Sequence, residues 1–196
     1  MYGAIKRGGD VVFSCISMLI LAPLFLVLVM AVKLDSPGPV LFRQKRVGIH
    51  KRHFYILKFR TMLQDAPDDV PTHLQSEAAQ QFTRLGRLLR RTSLDELPQI
   101  INIIRGDMSW VGPRPALWNQ EDLITERDKY GANDVRPGLT GWAQINGRDE
   151  LDILQKAALD GEYVEKMGLK MDLRCFFGSF HKVLRGDGVR EGSRKG

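Results

Sequence analysis

The hydrophobic pattern divides the chain into one long apolar block and a soluble remainder of short, separately punctuated elements. Val11 to Val32 is a stretch of 22 residues with no formal charge, and as a straight helix it would reach about 33 Å, one hydrocarbon thickness. Asp35-Ser36-Pro37-Gly38-Pro39 closes the block as a turn cluster. Val40 to Gln44 and Phe54 to Thr61 are rich in β-branched and aromatic residues, and their link across Gly48-Ile49-His50-Lys51 predicts a β-hairpin. Gln64 to Gln75 is polar and interrupted by Pro67 and Pro71, so it reads as a mobile loop whose aspartates are solvated rather than metal-bound. Glu77 to Arg91 repeats Phe82, Leu85, Leu88 and Leu89 at helical spacing, with Arg84, Arg87, Arg90 and Arg91 on other faces.

Further on, Gln99 to Arg105 predicts a short buried helix ended by Gly106, and Trp118 to Tyr130 a charged surface helix ended by Gly131. Gly141 to Gly147 reads as a short extended segment between glycines. Leu173, Phe176, Phe177, Phe180, Val183 and Leu184 return at helical spacing among Lys170, Arg174, His181, Lys182 and Arg185. Phenylalanines beside several cations predict an interfacial helix on anionic lipid in preference to an ordinary core helix. Gly186 to Gly196 is expected to form a flexible basic tail.

Charge around the apolar block bears on its topology. Lys6 and Arg7 precede it, while Lys33, Arg43, Lys45 and Arg46 follow, so both ends carry the cations expected on the cytoplasmic side. Pro23 lies near the midpoint, where it deletes the bond to the Leu19 carbonyl. A break there gives two arms that enter and leave by one face; a kinked spanning helix is the alternative, and physics leaves the two open. A cleavable signal fits worst, because the apolar run is long and no small-residue cleavage site follows Val32.

The 196 residues suit one domain with one membrane element. A net charge of +6 favours an anionic partner: lipid headgroups, a phosphorylated substrate or nucleic acid. The last of these is disfavoured, since the cations interleave with apolar residues and no recognition motif appears. Cys15 and Cys175 form no disulfide framework, and His50, His53, His73 and His181 lack zinc-type spacing.

The candidate chemistry lies in Ser93-Leu94-Asp95-Glu96-Leu97-Pro98. Ser93 and Glu96 match a capping box, S-x-x-E, which would make the acidic residues purely structural. Pro98 complicates that assignment, because a helix begun at Leu94 would meet it at the fifth residue, whereas a start at Pro98 is natural. As chemistry, an ionised Asp95 could attack phosphorus without a general base and form an acyl phosphate. Glu96 could help hold Mg²⁺ on pyrophosphate oxygens. Arg90 and Arg114 would offer forked donors to phosphate, and the prolines of Gly112-Pro113-Arg114-Pro115 would stiffen the second of them.

These residues, with Lys58-Phe59-Arg60-Thr61-Met62, Gly106-Asp107-Met108-Ser109, Val135-Arg136-Pro137-Gly138 and Gly141-Trp142-Ala143-Gln144-Ile145-Asn146-Gly147-Arg148, resemble the small monotopic phosphoglycosyl transferases among the bacterial sugar transferases. The resemblance covers nearly the whole chain. It implies transfer of a sugar 1-phosphate from a UDP-sugar to undecaprenyl phosphate with release of UMP, by a ping-pong route through a phosphosugar-aspartyl intermediate. It implies Asp95 as nucleophile, Glu96 as its partner with Mg²⁺, Asp95 and Glu96 as metal ligands, and Arg90, Arg114 and Arg136 as phosphate-binding residues.

The fold expected is α+β: a small, mainly helical cytosolic domain with a β-hairpin, a re-entrant membrane helix broken at Pro23, and amphipathic interfacial helices. Residues 1–36 would form the re-entrant helix, 37–185 the catalytic domain and 186–196 the tail. The protein would sit on the cytosolic face of the bacterial inner membrane among anionic lipids, as a minimal catalytic unit. Many relatives place a serine before the proline, whereas this chain has Ala22-Pro23. The reading from another class is a non-enzymatic basic membrane adaptor.

Overall fold

The computed structural model describes residues 2–63, 82–147 and 150–185, with side chains to Ser179. The predicted loop 64–75, the start of the helix predicted from Glu77 and the tail 186–196 lie outside the described residues. The apolar block is the middle of a longer helix, α1 (Tyr2–Asp35), which stays helical through Pro23. Proline's fixed φ is itself helical, and here the ring and Leu19 both lie on the exposed face, so the lost bond interrupts no packing. The predicted two arms are therefore joined in one helix. Only 11% of its most apolar window is buried, so it is not the core helix of the domain beside it.

Both halves of α1 rest on the same domain, by different chemistry. In the first half, Arg7 donates to the carbonyls of Ile103 and Ile104, Asp10 accepts from the Ser109 hydroxyl at 2.7 Å, and Ser14 accepts from Trp110 Nε1. In the second, Leu28 and Val32 pack with Phe59 and Leu89 in an apolar cluster. Arg60 then closes the helix end, donating to Val32 O, Ser36 O and Ser36 Oγ. A cation among the last carbonyls of a helix is stabilised by its dipole.

The hairpin is present, with its first strand longer and its second slightly shorter than predicted: β1 (Leu41–Val47) pairs antiparallel with β2 (His53–Phe59), Phe42 opposite Lys58 and Arg46 opposite Phe54. α2 (Arg84–Arg91) is capped by Thr83, whose side chain accepts from Gly86 N, so Phe82 lies before the helix rather than in it. α3 (Gln99–Arg105) ends at Gly106 as predicted. Its fully buried Asn102 accepts from Leu57 N and donates to Tyr55 O, which fastens α3 to the edge of β2.

β3 (Ser109–Val111) leads to α4 (Glu121–Asp128), shorter than the predicted 118–130 segment. β4 (Gly138–Thr140) returns to lie parallel to β3. The segment predicted as extended is a helical turn, α5 (Trp142–Ile145), because Gln144 donates back to the Leu139 carbonyl and curls the chain. α6 (Ile153–Glu165) begins on a true capping box, Asp152 with Gln155. The final helix, α7 (Leu169–Arg185), has two faces. Met171 and Cys175 pack with Tyr163 and Val111, while Leu169, Leu173 and Phe177 are exposed at successive turns. Phe176 sits between, edge-on to Phe13 of α1 and to Trp110.

Candidate active site

The acidic pair occupies a 3₁₀ turn, Leu94–Glu96, between α2 and α3. The chain enters it through Ser93, which adopts a left-handed conformation at φ 56° while its N–H donates to Arg90 O. A non-glycine residue there costs about 1 kcal/mol or more, and such strain persists only where surrounding packing dictates it. The Ser93 side chain caps nothing. Glu96 does not reach back to it either, so the capping-box alternative is overturned. Pro98, at φ −60°, opens α3 as its ring prefers.

Glu96 faces the hairpin. Its Oε1 accepts from Lys58 Nζ at 2.8 Å and from Arg114 Nη2 at 2.7 Å, the two arriving from β2 and from the turn after β3. Burial opposes the charge, but Arg114 and Lys58 overcome it and hold the carboxyl well below the usual range. Burial likewise draws the Lys58 ammonium down, offset in part by Glu96.

Asp95 is the opposite case. It is 7% exposed, and among the described residues nothing donates a hydrogen bond to it. Burial pushes its carboxyl up; Lys58, Arg90 and Arg114 pull it down, the adjacent Glu96 charge adds to the push, and the net shift is upward. An ionised Asp95 is therefore only partly solvated and, among the described residues, receives no hydrogen bond, which suits a reactive oxygen anion.

Arg114 is held by a close approach of two backbones. Gly112 N donates to Thr140 O and Gly138 N to Pro113 O, both at 2.9 Å, and a Cβ on Gly138 would lie 2.1 Å from Gly112 N. Only glycine fits. Arg46 braces the same turn from β1, donating through Nη1 to Pro115 O and through Nε to Gln44 Oε1. Burial and then the nearby Arg114 lower its guanidinium to about 9, with Glu96 opposing them. Two arginines this close favour an anion between or beside them.

Residues 1–186 match the family described as Bacterial sugar transferase. The chain belongs to that family. It is 43% identical over 182 residues to the undecaprenyl-phosphate glucose phosphotransferase of Komagataeibacter xylinus, a match covering 88% of this chain and 34% of that one. It is 40% identical over 191 residues to the UDP-glucose:undecaprenyl-phosphate glucose-1-phosphate transferase of Caulobacter vibrioides, covering 93% and 70%. It is 36% identical over 198 residues to the UDP-N-acetylgalactosamine-undecaprenyl-phosphate N-acetylgalactosaminephosphotransferase of Aeromonas hydrophila, covering 97% and 46%. The chain thus spans about a third of the first of these relatives and less than half of the last.

In this family member the fold gathers Asp95, Glu96, Arg90 and Arg114, four of the residues expected from the sequence. Arg90 also lies over the Phe82 ring, 4.7 Å from its centroid. Arg136 is placed elsewhere: its Nε donates to Gly106 O at 3.0 Å, at the opposite end of α3 from the acidic pair. Sequence reasoning gave neither Lys58 nor Arg46 a place in the site: Lys58 appeared only in a family motif and Arg46 only among the cations flanking the apolar block. Strand alternation was the available signal, since Gln44 and Arg46 of β1 share a face with Lys58 of β2. The register that brings them together depends on the turn Gly48–Arg52.

No group of three or more metal-ligating side chains exists among the described residues. Asp95 and the second oxygen of Glu96, unbonded among the described residues, nevertheless offer two adjacent hard donors. That fits an ion such as Mg²⁺, which takes one or two carboxylates and completes its shell with substrate phosphate and water.

Proposed function

We propose that this sugar transferase moves a sugar 1-phosphate from a UDP-sugar to undecaprenyl phosphate, releasing UMP, at the cytosolic face of the bacterial inner membrane. The observation that carries the reading is the buried Asp95 carboxylate, without a hydrogen bond among the described residues, beside a Glu96 whose charge is already compensated by Lys58 and Arg114. A carboxylate so placed serves as a nucleophile, while its neighbour organises cations for an anionic substrate.

In the first step Asp95 attacks the β-phosphorus of the donor. The bond from that phosphorus to the oxygen bridging it to the α-phosphate breaks, and UMP leaves with that oxygen. The result is an acyl phosphate joining Asp95 to the sugar. In the second step a phosphate oxygen of the acceptor attacks the same phosphorus, the bond to Asp95 breaks, and the carboxylate is restored. Arg114 and Arg90 hold donor phosphate oxygens, as forked guanidinium donors do. Arg46 and Lys58 keep Arg114 and Glu96 in register. A Mg²⁺ held by Asp95 and Glu96 would reduce the repulsion between nucleophile and pyrophosphate when bound.

The exposed apolar residues of α1, Leu19, Ile20, Leu26, Val27 and Met30, support burial of its outer face in lipid. The attachment of both of its halves to one domain supports a re-entrant course, with the helix continuous through Pro23. Leu169, Leu173 and Phe177 of α7 extend that apolar surface as an interfacial helix among anionic lipids.

The names of the relatives include glucose in some and N-acetylgalactosamine in another, and the donor is a member of the same UDP-sugar class. The test is a set of UDP-sugars assayed for UMP release by the membrane-reconstituted protein, with and without undecaprenyl phosphate. Stoichiometric release without acceptor and turnover with it are expected. Absence of release from every donor overturns the reading in favour of a non-enzymatic membrane adaptor.

A further inference from the structure

α2 forms the surface between the apolar helix and Asp95, and we propose that its outward arginines, Arg84, Arg87 and Arg91, guide the phosphate of the membrane-held acceptor to the nucleophile. The inference rests on the transferase reading above and assigns it an acceptor-binding surface.

The position of α2 follows from its inner face. Leu85 and Leu89 pack in the cluster formed by Leu28 and Val32 of α1, and Gly86 lies against the Thr61 backbone, where a Cβ would be 2.0 Å from Thr61 O. The helix is therefore pressed against the second half of α1, near its charged end at Lys33 and Asp35. On the other side of α1 at this level Leu26, Val27, Met30 and Leu34 are exposed. That apolar surface places α2 at the boundary between lipid and water.

The outer face has an order. Successive helical residues turn by about 100°, so the sequence of side chains round the unpacked side is Leu88, Arg84, Arg91, Arg87 and Arg90. Leu88 is half exposed and apolar; Arg84, Arg87 and Arg91 are exposed; Arg90 acts electrostatically on Asp95. One flank is compatible with lipid, the other faces the nucleophile, and three guanidinium groups lie between them. At its C-terminal end the helix is separated from the acidic turn by only Thr92 and Ser93.

A phosphomonoester on a lipid tail is the ligand that matches this order. Its chain stays on the Leu88 side while its phosphate, carrying one to two negative charges, passes along forked donors to Asp95. The sugar nucleotide has no lipid tail to use that flank, and its diphosphate has Arg114, braced by Arg46, on the hairpin side of the acidic pair, with Arg90 beside Asp95. Anionic bilayer headgroups share the phosphate chemistry, and the experiment separates them from the acceptor.

The test uses the full chain in phospholipid vesicles, with the double variant Arg87→Gln/Arg91→Gln and a UDP-sugar that the parent protein accepts. The burst of UMP without acceptor is expected at full amplitude. The KM for undecaprenyl phosphate is expected to rise roughly tenfold, the value of about one charge-assisted contact, with kcat changed less than about twofold. The same rise is expected in purely zwitterionic vesicles, and Arg87→Lys/Arg91→Lys should recover most of it. The melting temperature should be unchanged, as for exposed positions generally.

An unchanged acceptor KM overturns the proposal. So does a rise seen only when the vesicles contain anionic lipid, which makes the arginines readers of the bilayer. A lost UMP burst in the variant overturns it as well, by assigning the arginines to the donor. If the parent protein gives no burst with any UDP-sugar, the transferase reading itself fails and takes this inference with it.

Discussion

Asp95 and Glu96 are consecutive residues of one turn, yet their carboxyl groups are driven in opposite directions. Glu96 gives one oxygen to both Lys58 and Arg114 and is held well below the usual carboxylate range. Asp95, buried and without a hydrogen bond among the described residues, is pushed above it. The difference comes from their bonding: Glu96 accepts from cations on the hairpin and the Arg114 turn, whereas Lys58, Arg90 and Arg114 act on Asp95 only through their charge. It makes the two residues separable by experiment.

Asp95→Asn removes the nucleophile and should lower turnover on the order of 10⁴-fold or more. It should also raise the melting temperature at neutral pH, because wild type holds a poorly solvated charge there. Since the folded-state pKa of Asp95 is raised, its ionisation costs stability at pH values above that pKa. The advantage of the variant should fade as pH falls below the ordinary carboxylate value of about 4, where folded and unfolded chains are both protonated. In the parent protein, kcat/KM should fall on the acid side along a limb centred above that ordinary value. Thermal melts and rate profiles across pH check both; a variant less stable than the parent at neutral pH would contradict the assignment of an unpaired charge.

Glu96→Gln leaves Lys58 and Arg114 without their shared anion. Removing one partner of a buried ion pair typically costs about 3–5 kcal/mol, so a large drop in melting temperature should accompany the loss of turnover. The folded pKa of Glu96 is depressed, so its stabilisation is present above the unfolded value and disappears only as pH falls through the lower folded one. The gap between parent and variant should therefore persist through the normal carboxylate range and close at more acid pH. A gap that closes near neutral pH, or never opens, would argue against the bridge.

The course of α1 can be read by chemical labelling. In a Cys15→Ser background, cysteines at Gly3 and Leu34, both exposed, should react with a membrane-impermeant maleimide from the same side of sealed vesicles. Labelling from opposite sides would establish a spanning helix. Cys175, fully buried and with its thiol pushed up to about 12 by burial, should contribute little background.

Gly86→Ala tests the seating of α2. Its Cβ would meet Thr61 O at 2.0 Å, so the helix must shift or the alanine be expelled, at a cost of about 1–3 kcal/mol. Turnover and melting temperature should fall together, in contrast to the exposed arginines of the same helix. Normal turnover in this variant would mean that the contact with Thr61 does not position the acidic turn.

Two four-residue patterns show what local sequence can and cannot decide. Ser93-x-x-Glu96 and Asp152-x-x-Gln155 both have the form of a capping box, and only the second makes one. At Asp152 the chain extends into an ordinary helix start, and Gln155 and Asp152 exchange the two bonds of the box. At Ser93 the backbone is left-handed, and Glu96 is taken by Lys58 from 38 residues away and Arg114 from 18 residues away. Two cations outbid one backbone N–H for a carboxylate, and their proximity is a property of the fold. The extended reading of 141–147 failed similarly: the Gln144 bond to Leu139 turned the segment into α5.

Composition and order along the chain were enough to determine the apolar helix, the hairpin, the helix from Gln99 to Gly106, the acidic pair and the family resemblance, because each depends on neighbours within a few residues or on a contiguous motif. The burial of Asp95, the convergence of Lys58 and Arg114 on Glu96, the bracing by Arg46 and the departure of Arg136 to the far end of α3 were decided by tertiary structure alone. Electrostatic state depends on distance and solvent exposure in three dimensions, and those are fixed only when β-strand register, the close approach of Gly112 to Gly138 and the packing of α1 bring remote residues together.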